Sequence, residues 1–322
     1  MRQISFLQAI REAQLEEMRR DPRVFIMGED IRTNVFGTAA GFLEEFGPDR
    51  VLSTPLSEGG FTGAAAGAAM VGMRVIVDYT IAPFLYVAMD QIISIVAKSS
   101  YLYGGQTKVP VVLRSAMFYG NSNAAQHSDR PYPMFMGVPG LKIIVPSTPY
   151  DAKGLLKSAI RDDDPVMFFE DGRVWGSKGD VPEEEYLIPL GKADIKREGS
   201  DVTVVAVGGM VPHALAAAKE LEADNISVEV VDPRSLVPLD KETILASLKK
   251  TGRLVAVDVA HRTCSAASEI AAIVAEEAFW DLKGPVIRVT TPDTHIPFST
   301  AMEKGLYPNK DKIAAAVRQT MA

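Results

Sequence analysis

Apolar residues in the first half of the chain form short continuous runs, separated by stretches in which they recur at helical spacing. Residues 4–20 carry Phe6, Ile10 and Leu15 at helical spacing and predict an opening helix. Runs that are apolar on successive residues are typical of strands covered on both faces, as in a parallel sheet between helix layers. Such runs lie at residues 24–27, 74–78, 109–113, 142–145 and 166–169. The pattern predicts an α/β domain over residues 1–175.

A second alternation of strands and helices follows a change in composition. Residues 171–200 are rich in Gly, Pro and charged residues, and we interpret residues 176–200 as a linker. Beyond it, strands are predicted at residues 202–209, 228–231, 253–258 and 286–289, and helices at residues 211–223, 241–248, 265–278 and from Pro308 onward. A chain of 322 residues is long enough for two cores. We therefore predict two α/β domains, 1–175 and 201–322, each a mostly parallel sheet between helices.

Composition narrows the class of partner. The net charge of -7 comes without a basic face, which argues against a nucleic-acid-binding protein. A single cysteine, Cys264, excludes an intrachain disulfide and fits a reducing compartment, so we expect a cytoplasmic protein. The N-terminus lacks the apolar core of a signal peptide, and Arg74 and Asp78 interrupt the apolar run at residues 71–82, so we expect no membrane span. Small molecules and proteins are the expected partners.

Glu58 is the first candidate for chemistry. It precedes a run made almost wholly of Gly and Ala, in the stretch STPLSEGGFTGAAAGAA at residues 53–69. Such small residues let a backbone or a flat ligand approach closely. The alternative is that Glu58 only caps the first turn of a helix, where a carboxylate is favourable.

Phe84 and His127 are further candidates because each follows a predicted strand. Ligands in open α/β sheets gather outside the carboxyl ends of the strands, so the loops that carry Glu58, Phe84 and His127 can converge there. The ordinary alternatives are a core phenylalanine and a surface histidine. The strand at residues 202–209 ends in paired glycines, but the third glycine of a dinucleotide fingerprint is missing, which disfavours a Rossmann cofactor site.

Several longer motifs resemble one known family. They are GED at residues 28–30, TPLSE at 54–58, AMDQI at 88–92, YLYGGQ at 101–106, QHS at 126–128, PGLKIIVPSTPYDAKGLL at 139–156, DPVMFFE at 164–170 and VDPRSLVPLD at 231–240. Over its whole length the chain resembles the beta subunit of the thiamine diphosphate-dependent 2-oxo acid dehydrogenase component, the family of the pyruvate, branched-chain and acetoin enzymes. The resemblance implies a transketolase-like pyrimidine-binding domain followed by a transketolase C-terminal-like domain.

The resemblance also implies roles for the three candidates. Glu58 matches the glutamate that hydrogen-bonds the pyrimidine ring of thiamine diphosphate, and we expect apolar surroundings to favour its neutral, proton-donating form. Phe84 matches the aromatic residue that lies against that ring. His127 matches the histidine that handles protons when the acyl group passes to a lipoyl arm. The implied reaction is oxidative decarboxylation of a 2-oxo acid, or acetoin cleavage, with the cofactor as electron sink.

The rest of the implied site lies outside this sequence. The diphosphate and Mg²⁺ cradle of the superfamily resembles GDG followed by Asn, and no GDG occurs here. The resemblance therefore implies an alpha subunit that holds Mg²⁺, a heterotetramer of two alpha and two beta chains, and a lipoyl-bearing acyltransferase core. A possible K⁺ site is implied at Val111, Ala159, Ile160, Asp162 and Asp164; the alternative is a solvated acidic helix end.

The sequence departs from the family beside His127. Relatives commonly read HSQS, whereas this chain has Asp129 and Arg130 after Ser128. These two residues can pair with each other, bind a carboxylate or alter the docking of a lipoyl arm, and the sequence does not choose among these roles. Two other functions stay open: a related two-chain thiamine-dependent lyase or transketolase-like enzyme, and a non-catalytic assembly subunit.

Overall fold

The computed structural model describes residues 1–322 and divides them into two compact units. The first unit comprises Met1–Phe118 and Phe135–Leu190, and the second comprises Tyr119–Met134 and Gly191–Ala322. The strands are β1 (Arg2–Ser5), β2 (Val24–Gly28), β3 (Val51–Ser53), β4 (Arg74–Ile81), β5 (Val111–Met117), β6 (Lys142–Ile144), β7 (Val166–Asp171), β8 (Lys178–Val181), β9 (Asp194–Arg197), β10 (Val202–Ala206), β11 (Val228–Asp232), β12 (Ser235–Val237), β13 (Leu254–His261) and β14 (Ile287–Thr291).

Helices connect most of these strands. They are α1 (Phe6–Arg20), α2 (Phe42–Phe46), α3 (Glu58–Met70), α4 (Ser99–Leu102), α5 (Ala124–His127), α6 (Tyr132–Met136), α7 (Pro149–Arg161), α8 (Met210–Leu221), α9 (Lys241–Thr251), α10 (Ala266–Glu277), α11 (Thr300–Glu303) and α12 (Lys310–Met321). Three 3₁₀ turns, Ala82–Ala88, Glu222–Asp224 and Phe279–Asp281, and a π-helical segment, Gln91–Val96, complete the structure. None of the helices combines the length and apolarity that crossing a membrane requires.

The first unit is built on six parallel strands in the order β6-β7-β5-β4-β2-β3. Strands β2, β5 and β7 are buried at every residue, as expected for a sheet covered on both faces. Its core joins the inward faces of α1 and α7 to the sheet, with Phe6, Ile10, Phe42, Leu155 and Phe168 among the fully buried side chains.

The opening helix begins two residues later than predicted. Ser5 caps α1 by accepting from the Gln8 amide, and the Gln8 side chain accepts from the Ser5 amide in return. This capping box fixes the start of the helix, so the four residues of β1 extend along β8 as an antiparallel pair.

The second unit contains a five-stranded sheet in the order β14-β13-β10-β11-β9. Its strands are parallel except for β9, which runs antiparallel to β11 at one edge. Helices α8 and α12 supply side chains to one apolar core, and α9 and α10 supply side chains to another. The predicted α/β class, with two mostly parallel sheets between helices, is confirmed.

Residues 176–200, interpreted as a linker, contain regular structure. They include β8, which pairs with β1 of the first unit, and β9, which joins the sheet of the second unit. The two units separate between Leu190 and Gly191. Each of these strands has only four residues and no apolar run, so the sequence predicted no strand here. Pairing with a neighbouring strand holds each of them in place.

Candidate active site

Three chain segments leave the same edge of the first sheet and carry acidic or aromatic side chains. Gly28, the last residue of β2, is in register with Ser53 of β3 and with Asp78 of β4. Because these strands are parallel, the residues that follow them emerge together at the carboxyl edge of the sheet. Glu29, Glu58 and Phe84 lie in these three following segments.

Glu58 is the first residue of α3, and its side chain is half-buried. The hydroxyl of Thr62, one turn later, donates to the Glu58 carbonyl and also shares a hydrogen bond with the buried Tyr79 hydroxyl. Burial is the main cause that raises the pKa of Tyr79, so its hydroxyl stays protonated. This arrangement fixes the backbone of Glu58 to β4 and leaves its carboxyl group available.

Glu29 is a second carboxyl group at this edge. It is buried, and its Oε1 atom has no hydrogen-bond partner. Burial, together with the negative charges of Glu58 and Asp30, raises its pKa to about 7. Glu29 therefore changes charge near neutral pH, in a small cleft that Phe36 and Thr80 also line.

The last residues of β4 are held in an unusual conformation, where the pairing with β5 shifts register between Asp78 and Ile81. Thr80 is a β-branched residue with φ of 58°, in the left-handed region that such residues rarely adopt. Its amide donates to Asp78 Oδ1 at 2.8 Å, and Asp78 Oδ2 accepts from the buried Arg114 at 3.1 Å. Arg114 also donates to Glu170 on β7 and to Gln14 on α1. A buried ionic network thus fixes the end of β4, which leads into the 3₁₀ helix that carries Phe84.

Phe84 lies in the 3₁₀ helix Ala82–Ala88 and is half-buried, so it is neither a core residue nor a fully exposed one. Helix α3 approaches this segment closely through its glycines. A Cβ atom at Gly59 would lie 3.1 Å from Gln91 Oε1 and 3.7 Å from the Val87 carbonyl. The Gly-rich start of α3 is thus used for packing next to the segment that carries Phe84.

His127 is the last residue of the short helix α5 and is half-buried. Its segment, Tyr119–Met134, belongs to the second unit, whereas Glu58 and Phe84 belong to the first. Beside it, Arg130 is buried, donates to the carbonyls of Ser128 and Val259, and lies over the rings of Tyr119 and Tyr307. These contacts indicate a structural role for Arg130, which is none of the three roles that the sequence left open.

Comparison with known proteins identifies the family. Residues 2–173 match the transketolase pyrimidine-binding domain and residues 191–313 match the transketolase C-terminal domain. The chain is 46% identical to the beta subunit of acetoin:2,6-dichlorophenolindophenol oxidoreductase of Bacillus subtilis (strain 168), covering 99% of this chain and 98% of that protein. The beta subunits of 2-oxoisovalerate dehydrogenase (46%) and of the pyruvate dehydrogenase E1 component (43%) of the same organism are each covered over 98% of both chains. The chain belongs to the family of E1 beta subunits of pyruvate, branched-chain 2-oxo acid and acetoin dehydrogenases.

A solved structure supports the same fold for this E1 beta chain. A split-gene transketolase, described as an inactive beta4 tetramer, superposes with a TM-score of 0.81 at 25% identity and covers 99% of this chain and 98% of that one. A Pichia stipitis transketolase superposes with a TM-score of 0.71 at 13% identity, and this chain spans 46% of its length. The predicted pair of transketolase-like domains is confirmed.

The E1 family implies dependence on thiamine diphosphate, and the first unit fits the pyrimidine end of that cofactor. At one edge of its sheet it carries the half-buried Glu58 and the buried Glu29, whose Oε1 atom has no partner, and the half-buried Phe84 lies in the segment that follows β4. These are the donor, acceptor and aromatic groups that a protonatable heterocycle requires. The chain contains no group of three His, Cys, Asp or Glu side chains that could hold a metal ion such as Mg²⁺.

The turn after α7 does not fit the possible K⁺ site. Arg74 donates to the carbonyls of Ile160 and Asp162 at 3.2 and 2.8 Å. Lys142 binds the Asp162 carboxylate at 2.7 Å and the Asp164 carboxylate at 3.1 Å. Arg74 and Lys142 thus already bind the carbonyl and carboxylate oxygens of this turn. A K⁺ ion at this turn, with Val111 and Ala159, would compete with these two side chains.

Sequence reasoning missed the importance of Glu29. GED at residues 28–30 contributed to the family resemblance, but no role was assigned to its glutamate. The available signal was an acidic residue directly after a wholly apolar strand, at the same sheet edge as Glu58.

Proposed function

We propose that this chain is the beta subunit of the E1 component of a 2-oxo acid dehydrogenase complex, which binds the pyrimidine end of thiamine diphosphate. The observation that carries this proposal is Glu58 at the first residue of α3, within a matched pyrimidine-binding domain and close enough to Glu29 to raise its pKa. When bound, thiamine diphosphate supplies the electron sink for decarboxylation of a 2-oxo acid.

Each candidate residue has a separate role in this proposal. Glu58 holds a hydrogen bond to a ring nitrogen of the pyrimidine and sets its protonation, while Thr62 and Tyr79 keep the Glu58 backbone in place. The half-buried ring of Phe84 packs against the pyrimidine. His127 donates and accepts a proton during acyl transfer to a lipoyl group, as the family resemblance implies.

The partners follow from the same assignment. An alpha subunit supplies the diphosphate and Mg²⁺ half of the cofactor site, since this chain lacks the GDG motif. We propose two copies of each chain in the assembly and a lipoyl-bearing acyltransferase as the acceptor of the acyl group.

The substrate is a 2-oxo acid or acetoin. The named relatives act on acetoin, 2-oxoisovalerate and pyruvate, and the chain is 46%, 46% and 43% identical to them. Such even similarity does not select a substrate. The assembled enzyme should therefore be assayed with all three compounds, by release of acetaldehyde from acetoin and of carbon dioxide from the two acids.

The decisive test is Glu58→Gln in the complex of this chain with its alpha partner. The amide keeps the shape of the side chain but cannot exchange a proton, so we expect turnover to fall by about 10² to 10⁴, the usual contribution of a positioned acid or base. Glu44→Gln, at an exposed position of α2, is the matched control and should keep full activity. Unchanged turnover of the Glu58 variant, with assembly and circular dichroism intact, would refute the proposal.

A second candidate function has one observation in its favour. The split-gene transketolase matches over nearly the full length of both chains. A two-chain transketolase-like enzyme would transfer a ketol unit between sugar phosphates without releasing carbon dioxide. The same assembled enzyme, given a sugar-phosphate donor and acceptor, distinguishes the two functions.

A further inference from the structure

The segment that carries His127 binds one buried carboxylate near its beginning, and the Ser122 hydroxyl also shares a hydrogen bond with the Thr300 hydroxyl at 2.6 Å. Glu303, the last residue of α11, accepts from the amides of Gly120 at 2.7 Å and Ser122 at 2.8 Å, one with each carboxylate oxygen. The Tyr307 hydroxyl donates to the same carboxylate at 2.7 Å. Hydrogen bonds to a charged acceptor are roughly twice as strong as those between neutral groups.

Glu303 keeps its charge although its side chain is only 1% exposed. Burial alone would raise its pKa, but the hydrogen bonds from Tyr307, Ser122 and Gly120, with the positive charge of Arg130, together lower it below the usual value. A carboxylate that is both buried and charged needs several hydrogen-bond donors. The amides of Gly120 and Ser122 are two of the donors that Glu303 requires.

Arg130 holds the segment beyond His127. Its Nε donates to the Val259 carbonyl at 3.1 Å, and its Nη1 donates to the Ser128 carbonyl. Its guanidinium lies 5.9 Å from the ring centroid of Tyr119 and 5.5 Å from that of Tyr307. Tyr307 therefore contacts both Glu303 and Arg130 and links the two attachments.

The backbone between the attachments cannot hold its own shape. Ser122 and Ala124 have φ of 59° and 58°, a left-handed conformation that is unfavourable for residues with a side chain. Helix α5 has only four residues, too few to be stable without outside contacts. The position of His127 thus depends on the groups that bind the segment on either side.

We propose that Glu303 and Arg130 are positioning residues that fix His127 for acyl transfer. The role of His127 rests on the proposed function, whereas the attachments are contacts of this chain. Arg130 is buried, and its Nε and Nη1 atoms donate to the Val259 and Ser128 carbonyls, so it acts on the segment through Ser128. Its Nη2 atom has no hydrogen-bond partner. A displacement of a catalytic residue by about 1 Å can lower the rate of its step about 10²-fold. Weakening the contacts of Glu303 or Arg130 should therefore selectively slow the step that needs His127.

The test compares Glu303→Gln with His127→Gln in the complex with the alpha partner. Two rates are measured: reduction of an artificial electron acceptor, which reports decarboxylation, and acyl transfer to a lipoyl domain. Both variants should lower acyl transfer by about 10-fold or more, and Glu303→Gln, which leaves the reacting groups in place, should change acceptor reduction by less than about 2-fold. The double variant should lose little beyond the larger single loss, since both changes disable the same step. Glu276→Gln, at an exposed position of α10, is the matched control.

A measurement that does not depend on activity accompanies the kinetics. The amides of Gly120 and Ser122 should exchange hydrogen for deuterium faster in Glu303→Gln, because a neutral amide oxygen replaces the carboxylate, and at the normal rate in the control. Tyr307→Phe removes one donor to Glu303 while keeping the ring beneath Arg130, and should give the same pattern more weakly. It replaces Glu303→Gln if that variant does not assemble.

The outcomes separate the inference from the proposed function. Unchanged exchange at these amides, or losses in the double variant that multiply, would overturn the positioning role. If His127→Gln alone leaves both rates unchanged, the role assigned to His127 in the proposed function fails. In that case, faster amide exchange at Gly120 and Ser122 in Glu303→Gln would show that Glu303 holds the segment. The inference that this contact positions His127 for acyl transfer would still be rejected.

Discussion

At the scale of single residues, two carboxyl groups with different surroundings share one edge of the first sheet. Glu58 is half-buried at the start of α3, whereas Glu29 is buried directly after β2. Burial and the neighbouring charges of Glu58 and Asp30 raise the pKa of Glu29 from 4.5 to about 7. Acidic groups with such pKa values can exchange protons near neutral pH, which is why strongly shifted groups cluster at functional sites.

The raised pKa of Glu29 makes stability depend on pH. The folded chain holds this proton more tightly than the unfolded chain, so the stabilising contribution is complete below pH 4.5 and is lost as pH rises through about 7. Glu29→Gln cannot ionise and should escape this loss. We expect the variant to gain up to about 3 kcal/mol relative to wild type between pH 5 and pH 8, a limit set by about 1.4 kcal/mol per pKa unit.

Thermal unfolding of the assembled complex across this pH range checks the prediction. Glu44→Gln, an exposed change in the same unit, should follow the wild-type curve. Parallel curves for Glu29→Gln and wild type would show that Glu29 does not carry the shifted pKa.

At the scale of elements, strands predicted from continuous apolar runs were found at their expected places. The run at residues 24–27 became β2, and the run at residues 166–169 became β7. Their side chains are buried on both faces, and this burial is written directly in the sequence. Strands β8 and β9 were missed because four residues with exposed or half-buried side chains carry no such signal.

The same distinction explains what was predicted of the candidate site. The positions of Glu58 and Phe84 at strand ends followed from the order of strands and motifs. The burial of Glu29 and Arg130 did not, because burial depends on how segments distant in sequence pack together. Arg130, for instance, binds the Val259 carbonyl, 129 residues further along the chain.

A glycine in β2 tests how tightly the sheet is packed at this edge. A Cβ atom at Gly28 would lie 2.1 Å from the Asp78 carbonyl oxygen of β4, and the φ of Gly28 is 149°. Gly28→Ala should therefore separate the two strands and cost at least about 3 kcal/mol, in the range of severe core changes. Gly37 also has a positive φ, of 79°, but a Cβ atom there would meet no atom within 4 Å, so Gly37→Ala should cost only about 1 to 2 kcal/mol.

Denaturant midpoints of the two variants give this comparison directly. Equal losses would mean that backbone conformation, rather than the close approach of β2 and β4, determines the cost at Gly28.

At the scale of the whole molecule, the chain consists of two units with separate cores, and each matches a transketolase domain. The curated E1 beta relatives are matched over 98% of their length. The similarity to these beta subunits therefore extends over both units. In the proposed function, the alpha subunit holds the diphosphate of the cofactor, since this sequence has no GDG motif.

Titration of thiamine diphosphate and Mg²⁺ tests this division of the site. We expect weak binding to the chain alone and tight binding after assembly with the alpha subunit, because only the assembly offers groups for both ends of the cofactor. Calorimetry on the two samples, with Glu58→Ala assembled in the same way as a control, provides the comparison. Tight binding by the chain alone would place an unrecognised diphosphate site within it.

The chain crosses between the two units three times, and these crossings limit where segments can be exchanged with a relative to make a chimeric protein. The backbone passes from one unit to the other between Phe118 and Tyr119, returns between Met134 and Phe135, and passes again between Leu190 and Gly191. A gene fusion that exchanges everything after Leu190 with a relative would combine a foreign Glu303 with the native Tyr119–Met134. Chimeras of this family should therefore inherit residues 119–134 from the same parent as the C-terminal half.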